Sequence, residues 1–93
     1  PRGLAIESEA YAYHNVDEIS IKVYLQEMKN GVTRNVTSWT VKDTNTDYTE
    51  LNKAYTVSGQ AYYRLYATFS TKHSADGVGT EGGSASTEWM WVD

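Results

Sequence analysis

Polar and apolar residues alternate with a period of two along much of this chain. Over residues 19–26 the order is Ile-Ser-Ile-Lys-Val-Tyr-Leu-Gln, so Ile19, Ile21, Val23 and Leu25 share one face and Ser20, Lys22, Tyr24 and Gln26 the other. Successive side chains of extended backbone point to opposite sides, so this is the pattern of a strand with one buried face. Residues 61–71 repeat it, with Tyr63, Leu65, Ala67 and Phe69 on one face and Tyr62, Arg64, Tyr66 and Thr68 on the other. Further strands are expected at 4–13, 32–42, 48–57 and 87–92, which makes six. No window of about 11 residues carries a helical 3.6 period, so helix is expected to be close to absent.

Turn chemistry separates these segments. Asn30-Gly31 is the strongest short hairpin signal, because both residues tolerate positive φ in a type I′ turn. A two-residue turn there sets Leu25 opposite Val36 and Glu27 opposite Arg34, a complementary cross-strand pair. Continued strictly, that register puts Trp39 on the polar face beside Lys22. One extra residue near Thr37-Ser38 returns Trp39 and Val41 to the core, so a β-bulge is expected there. Asp43–Asp47 and Ser58-Gly59 read as turns, with Gly59 at positive φ and Tyr63 buried just after it. Residues 72–86 hold four of the seven glycines and read as a loop.

Short strands at this spacing predict an all-β fold, a six-stranded antiparallel sandwich. One sheet would hold 32–42, 19–28, 61–71 and 87–92, and the other would pair 4–13 with 48–57. Val57-Ser58-Gly59 followed by Tyr63-x-Leu65-x-Ala67 resembles the start of strand F in fibronectin type III and related immunoglobulin-like domains.

A longer resemblance rests on Pro1-Arg2-Gly3, the block from Val16 to Leu25-Gln26, Asn30-Gly31, Ser38-Trp39, and Gly59 with Tyr62-Tyr63-Arg64. In these the chain is similar to a family of short secreted proteins of uncharacterised function from Gram-positive bacteria. It departs from that pattern in a shorter first section, in Phe69 where His is commoner, and in its Trp-Met-Trp ending. The resemblance implies secretion and a β-sandwich, and it carries no catalytic residues across.

Composition narrows the function classes. Ninety-three residues make one domain, 1–93. The net charge of −4, from 12 acidic and 8 basic residues without runs, argues against nucleic acid as a partner, since that needs a basic patch. With no cysteine there is no disulfide, thiolate metal site or cysteine nucleophile. No stretch approaches the roughly 18 apolar residues of a membrane-spanning helix. Opening at Pro1 rather than Met is expected of a processed or excised chain.

Candidate chemistry is thin. Gly77-Val78-Gly79-Thr80-Glu81-Gly82 matches G-x-G-x-x-G but lacks the helix that would receive a pyrophosphate. Asp43, Asn45 and Asp47 open like a calcium loop, yet Tyr48 and Ala54 stand where an EF-hand needs Gly and Glu. An irregular Ca²⁺ site with Glu50 is the alternative to an Asx-rich turn, and the turn is the simpler reading. Ser70, His73 and Asp76 flank a glycine-rich segment rather than rigid elements, so no triad is expected. His14 and His73 read as surface residues, and Asn35-Val36-Thr37 is a formal glycosylation sequon, unused in a bacterium. No enzyme activity and no cofactor are expected.

The informative set faces outward. Tyr24, Tyr62, Arg64 and Tyr66 oppose the core face, and if Met90 and Val92 point inward, Trp89 and Trp91 join them. Eight Tyr and three Trp against one Phe suit such a half-buried aromatic surface. The expected function is a secreted, non-catalytic binding or envelope-associated module that presents this face to a protein or glycan. The alternatives are a ladder that only stabilises the sheet, and a self-assembling β protein that adds strands of a second copy along its Glu88–Val92 edge.

Overall fold

A computed structural model describes residues 1–73 and 78–93. Its strands are β1 (Arg2–Lys29), β2 (Val32–Val57), β3 (Ala61–His73), β4 (Val78–Ser86) and β5 (Met90–Val92). All pair antiparallel in one open sheet of order β2-β1-β3-β4, with β5 on β3, and no helix is present among the described residues. The all-β expectation holds. Among the described residues five strands replace the six expected, because 4–13 and 19–28 are the two ends of β1, and 32–42 and 48–57 the two ends of β2. Conversely, much of the expected loop 72–86 is strand β4, and the expected strand at 87–92 is reduced to the three residues of β5.

The β1–β2 hairpin folds back over itself. Its turn is Asn30-Gly31, at φ 54° and 76° as a type I′ turn requires. Pairing runs from Lys29↔Val32 to Val16↔Thr46, then resumes as Tyr11↔Tyr48 down to Arg2↔Val57. Between these stretches the four residues Ala12–Asn15 stand against Asp47 alone. Unequal chain lengths force the strands to bend, the device by which strands turn a corner between layers. Asn45 takes a left-handed φ of 54° beside the bend, where the expected Asp43–Asp47 turn is instead a kink inside β2.

The bend explains the core. The far end of the hairpin brings Ile6 and Leu51 onto Ile21, Val23 and Ala67 of the near sheet. A second cluster joins Leu25, Val57, Ala61, Tyr63 and Val92. Trp39 packs against both clusters, its ring edge-on to Tyr55 at 5.8 Å. Trp39 and Val41 therefore reach the core face as expected, opposite Val23 and Ile21. The bulge that puts them there lies one residue earlier than expected. Gln26 pairs with Asn35 and Leu25 with Thr37, so Val36 is the extra residue and Leu25 does not face it. Glu27↔Arg34 is as expected, with Arg34 Nε donating to Glu27 Oε1 at 2.9 Å.

Candidate binding face

Register assigns the outer face of the near sheet residue by residue. Successive rows across the strands are Gln26-Arg64, Ser38-Tyr24-Tyr66-Ser86, Thr40-Lys22-Thr68-Ser84 and Lys42-Ser20-Ser70-Gly82. Tyr62, at the end of β3, pairs with Trp91 of β5. Each of these side chains is out because its neighbour in sequence is in: Val23, Leu25, Tyr63 and Ala67 are buried.

Trp89 and Trp91 reach the face because β4 and β5 share one edge of β3. Between them the chain leaves the ladder, and Thr87 bridges the gap. Its backbone N–H donates to the Leu65 carbonyl at 2.9 Å, and its hydroxyl accepts the Leu65 N–H at 2.9 Å. The tie holds the segment against β3 while Trp89 swings over Arg64, whose guanidinium carbon lies 4.5 Å from the indole centre. Trp91 meets Tyr62 edge-to-face at 5.1 Å. Tyr24 and Tyr66 stand across the β1–β3 ladder with ring centres 6.0 Å apart, and Lys22 Nζ lies 5.1 Å from the Tyr24 centre. All six residues singled out in the sequence are thus on one surface. Trp91 and Tyr62 remain 51% and 43% exposed, large values for rings that already touch each other.

Polar side chains missed by sequence reasoning fix the cation. Arg64 Nε donates to Gln26 Oε1 at 2.7 Å, and Gln26 Nε2 donates to Asn35 Oδ1 at 3.0 Å. Held between that relay and the indole, Arg64 is positioned rather than free to wander. Ser20 and Ser70 share a hydrogen bond at 2.6 Å further along the face. Alternation places Gln26 outward, as expected, but does not show its partner across a bulged strand.

One expectation about the last strand fails. Val92 is buried as expected, but Met90 is 57% exposed. It has the inward phase, opposite buried Tyr63. The covering hairpin stops short of it, however, and leaves an apolar slot lined by Leu4, Ile6, Leu25, Tyr63, Leu65 and Met90.

The other candidates do not assemble. Asp43 accepts a hydrogen bond from the buried Thr49 hydroxyl at 2.5 Å, and the Thr46 hydroxyl accepts from the Tyr48 N–H at 3.4 Å. Asp43, Asn45 and Asp47 join no group of three or more His or acidic side chains able to hold a metal among the described residues. The acidic residues that do gather are Glu7, Glu9 and Glu50, on the outside of the covering hairpin. There the Tyr48 hydroxyl lies 2.8 Å from Glu50 Oε2 and 3.0 Å from Glu9 Oε2. The Glu50 bond, then burial and Glu9, push the pKa of that phenol well above its ordinary value. Asp76 and Gly77 lie outside the described residues, and only the backbone of His73 and of Val78–Glu81 is described. The glycine motif and the Ser70–His73–Asp76 set therefore reach outside the described residues.

Comparison with family models, with curated proteins and with solved structures gives no match for this chain. What the face does must come from its own chemistry.

Proposed function

We propose that this protein is a non-catalytic binding module that presents the outer face of its near sheet to a protein or glycan, outside the cell or at the cell envelope. The supporting observation is the Trp91–Tyr62 pair, half exposed and contiguous with Arg64–Trp89 and Tyr24–Tyr66. Rigid aromatic side chains offer contact area at small cost in rotamer entropy, and they dominate energetic centres of interfaces. A ladder serving only stability would gain by turning those rings into its neighbours. The secreted family resemblance supports the extracellular placement, and the folded-over layering is in keeping with a small sandwich of immunoglobulin or fibronectin type.

The test is Trp91→Ala in a screen against glycans and surface proteins. Binding should weaken about tenfold or more, since an aromatic anchor at a contact is worth on the order of 1–2 kcal/mol. Its melting temperature should fall by only a few degrees, because the ring makes one edge contact worth about 1 kcal/mol. Retained binding together with a large loss of stability would favour the ladder.

A second reading has its own observation. From Arg2 to Tyr11, β1 pairs on one side only among the described residues, and this unpaired edge flanks the apolar slot. Such an edge can add a strand from a second copy. Size that grows with concentration in sedimentation would favour assembly.

A further inference from the structure

We infer that the ligand of this face is an anionic polysaccharide, an inference that rests on the binding-module reading. Charge on the molecule is segregated. Among the described residues, across the rows built on Glu18–Gln26, the outer face carries Lys22, Lys42, Arg64 and Lys72, against Glu18 as the single carboxylate. Glu18 is already shared by Lys42 at 3.8 Å and Lys72 at 3.6 Å. Among the described residues Lys22 and Arg64 make no ion pair; each lies instead over a ring, Tyr24 or Trp89. Asp93, beyond Trp91, is engaged by Gln60 Nε2 at 3.3 Å. Glu7, Glu9 and Glu50 sit on the opposite outer surface. A chain of net charge −4 thus places on its aromatic face two cations that join no ion pair among the described residues, with Glu88 as the carboxylate lining the same slot as Arg64.

Their placement describes the ligand. Lys22 and the Arg64 partner Gln26 are four residues apart on β1, so the cations stand on the order of 13 Å apart along the strand. The Tyr24–Tyr66 pair lies between them, and Trp91–Tyr62 extends the aromatic line beyond Arg64. The fitting molecule is extended, with acidic groups at roughly that interval and flat, C–H-bearing rings between. Sugar hydroxyls then meet Thr68 across from Lys22, and Ser38, Thr40, Ser84 and Ser86 in the flanking columns. Two cations are too few for a nucleic acid, whose affinity comes from many phosphate contacts at once. A neutral glycan would leave Lys22 and Arg64 without the charge their setting favours, and an acidic peptide would leave the rings without stacking partners.

Three polymers separate these outcomes in affinity electrophoresis or calorimetry. They are hyaluronate (alternating uronate and neutral sugar), hydroxyethyl cellulose (rings without charge) and polyglutamate (charge without sugar rings). Hyaluronate should bind, about tenfold or more weaker at 0.5 M than at 0.05 M salt, as screening removes the charge contribution. Lys22→Gln should weaken it several-fold with the melting temperature unchanged, because Lys22 lies at the surface over the Tyr24 ring, a contact of small energy. Lys53→Gln, the same charge change on the covering hairpin, should not. Equal binding of hydroxyethyl cellulose, insensitive to salt and to Lys22→Gln but abolished by Trp91→Ala, would overturn the anionic assignment and leave the binding face standing. Preference for polyglutamate would overturn it in favour of an acidic protein. No binding to any of the three would overturn it outright, and the binding-module reading falls with it only if the wider glycan and protein screen is also empty.

Discussion

Gly59→Ala is expected to destabilise the protein by about 2–3 kcal/mol and to lower its melting temperature by roughly 10–20 °C. Gly59 has φ of 86°, a region in which an L-residue costs about 1 kcal/mol. The second cost is steric. A Cβ built there would stand 2.6 Å from the Asp93 carbonyl oxygen and 3.1 Å from its carbon. Both are main-chain atoms, so relief requires moving the end of β5. That end is anchored, since Val92 pairs with Ala61 and packs in the cluster with Leu25, Val57 and Tyr63. Gly31→Ala provides the control: φ is 76° there, but nothing lies within 4 Å of the added carbon. It should lose only the backbone contribution, about 1 kcal/mol. Chemical denaturation of the two variants checks the difference, and equal losses would show that Asp93 yields freely. Because β5 carries Trp91, Gly59→Ala should also weaken binding at the face, whereas Gly31→Ala should not.

The parts of the fold legible in the sequence are those written in period two and in turn residues. Ile19 to Gln26 and Ala61 to Thr71 keep strict alternation, so their inward and outward sets were assignable, and with them the face of Tyr24, Tyr62, Arg64 and Tyr66. Val92 fixed the phase of its strand, which placed Trp89 and Trp91. The fold-back of the hairpin was not legible. Ala12–Asn15 contain neither Gly nor Pro and stay extended through the bend, so the corner carries no turn chemistry. β4 was hidden for the opposite reason. Gly82, Gly83 and Ser84 look like loop, yet they pair with Ser70, Phe69 and Thr68 through backbone groups that need no side chain. The bulge was required by Trp39, but nothing in Val36-Thr37-Ser38 says which residue is extra. Met90 failed differently: its phase was right, but exposure depends on how far the covering hairpin extends, which is a tertiary fact.

Tyr63→Phe is expected to cost about 2 kcal/mol at neutral pH and markedly less in acid. Tyr63 is 2% exposed, and its hydroxyl donates to Glu27 Oε2 at 2.8 Å. Glu27 is itself buried, 6% exposed, with its other oxygen taken by Arg34 Nε at 2.9 Å. Removing the hydroxyl strips a hydrogen bond from a buried carboxylate, a charged acceptor whose bonds are worth about 1.5–3 kcal/mol. The Tyr63 bond is also the main reason the Glu27 pKa lies below its ordinary value of 4.5. Burial opposes it, and the Arg34 hydrogen bond and charge add to it. A carboxyl whose folded pKa is depressed stabilises the fold fully above its unfolded pKa and loses that stabilisation as pH falls through the folded one. Wild type should therefore weaken below about pH 4.5 through this group. In Tyr63→Phe the main cause of the depression is gone, so Glu27 takes up its proton at higher pH. The stability gap between the two proteins should narrow as pH drops from 7 toward 3. Arg34→Gln should narrow it less, because that guanidinium is 60% exposed and water replaces much of what it gives. Denaturation curves at a series of pH values decide the matter: a gap constant from pH 7 to 3 would show that Tyr63 contributes by packing and that the charge on Glu27 is not what its hydroxyl serves.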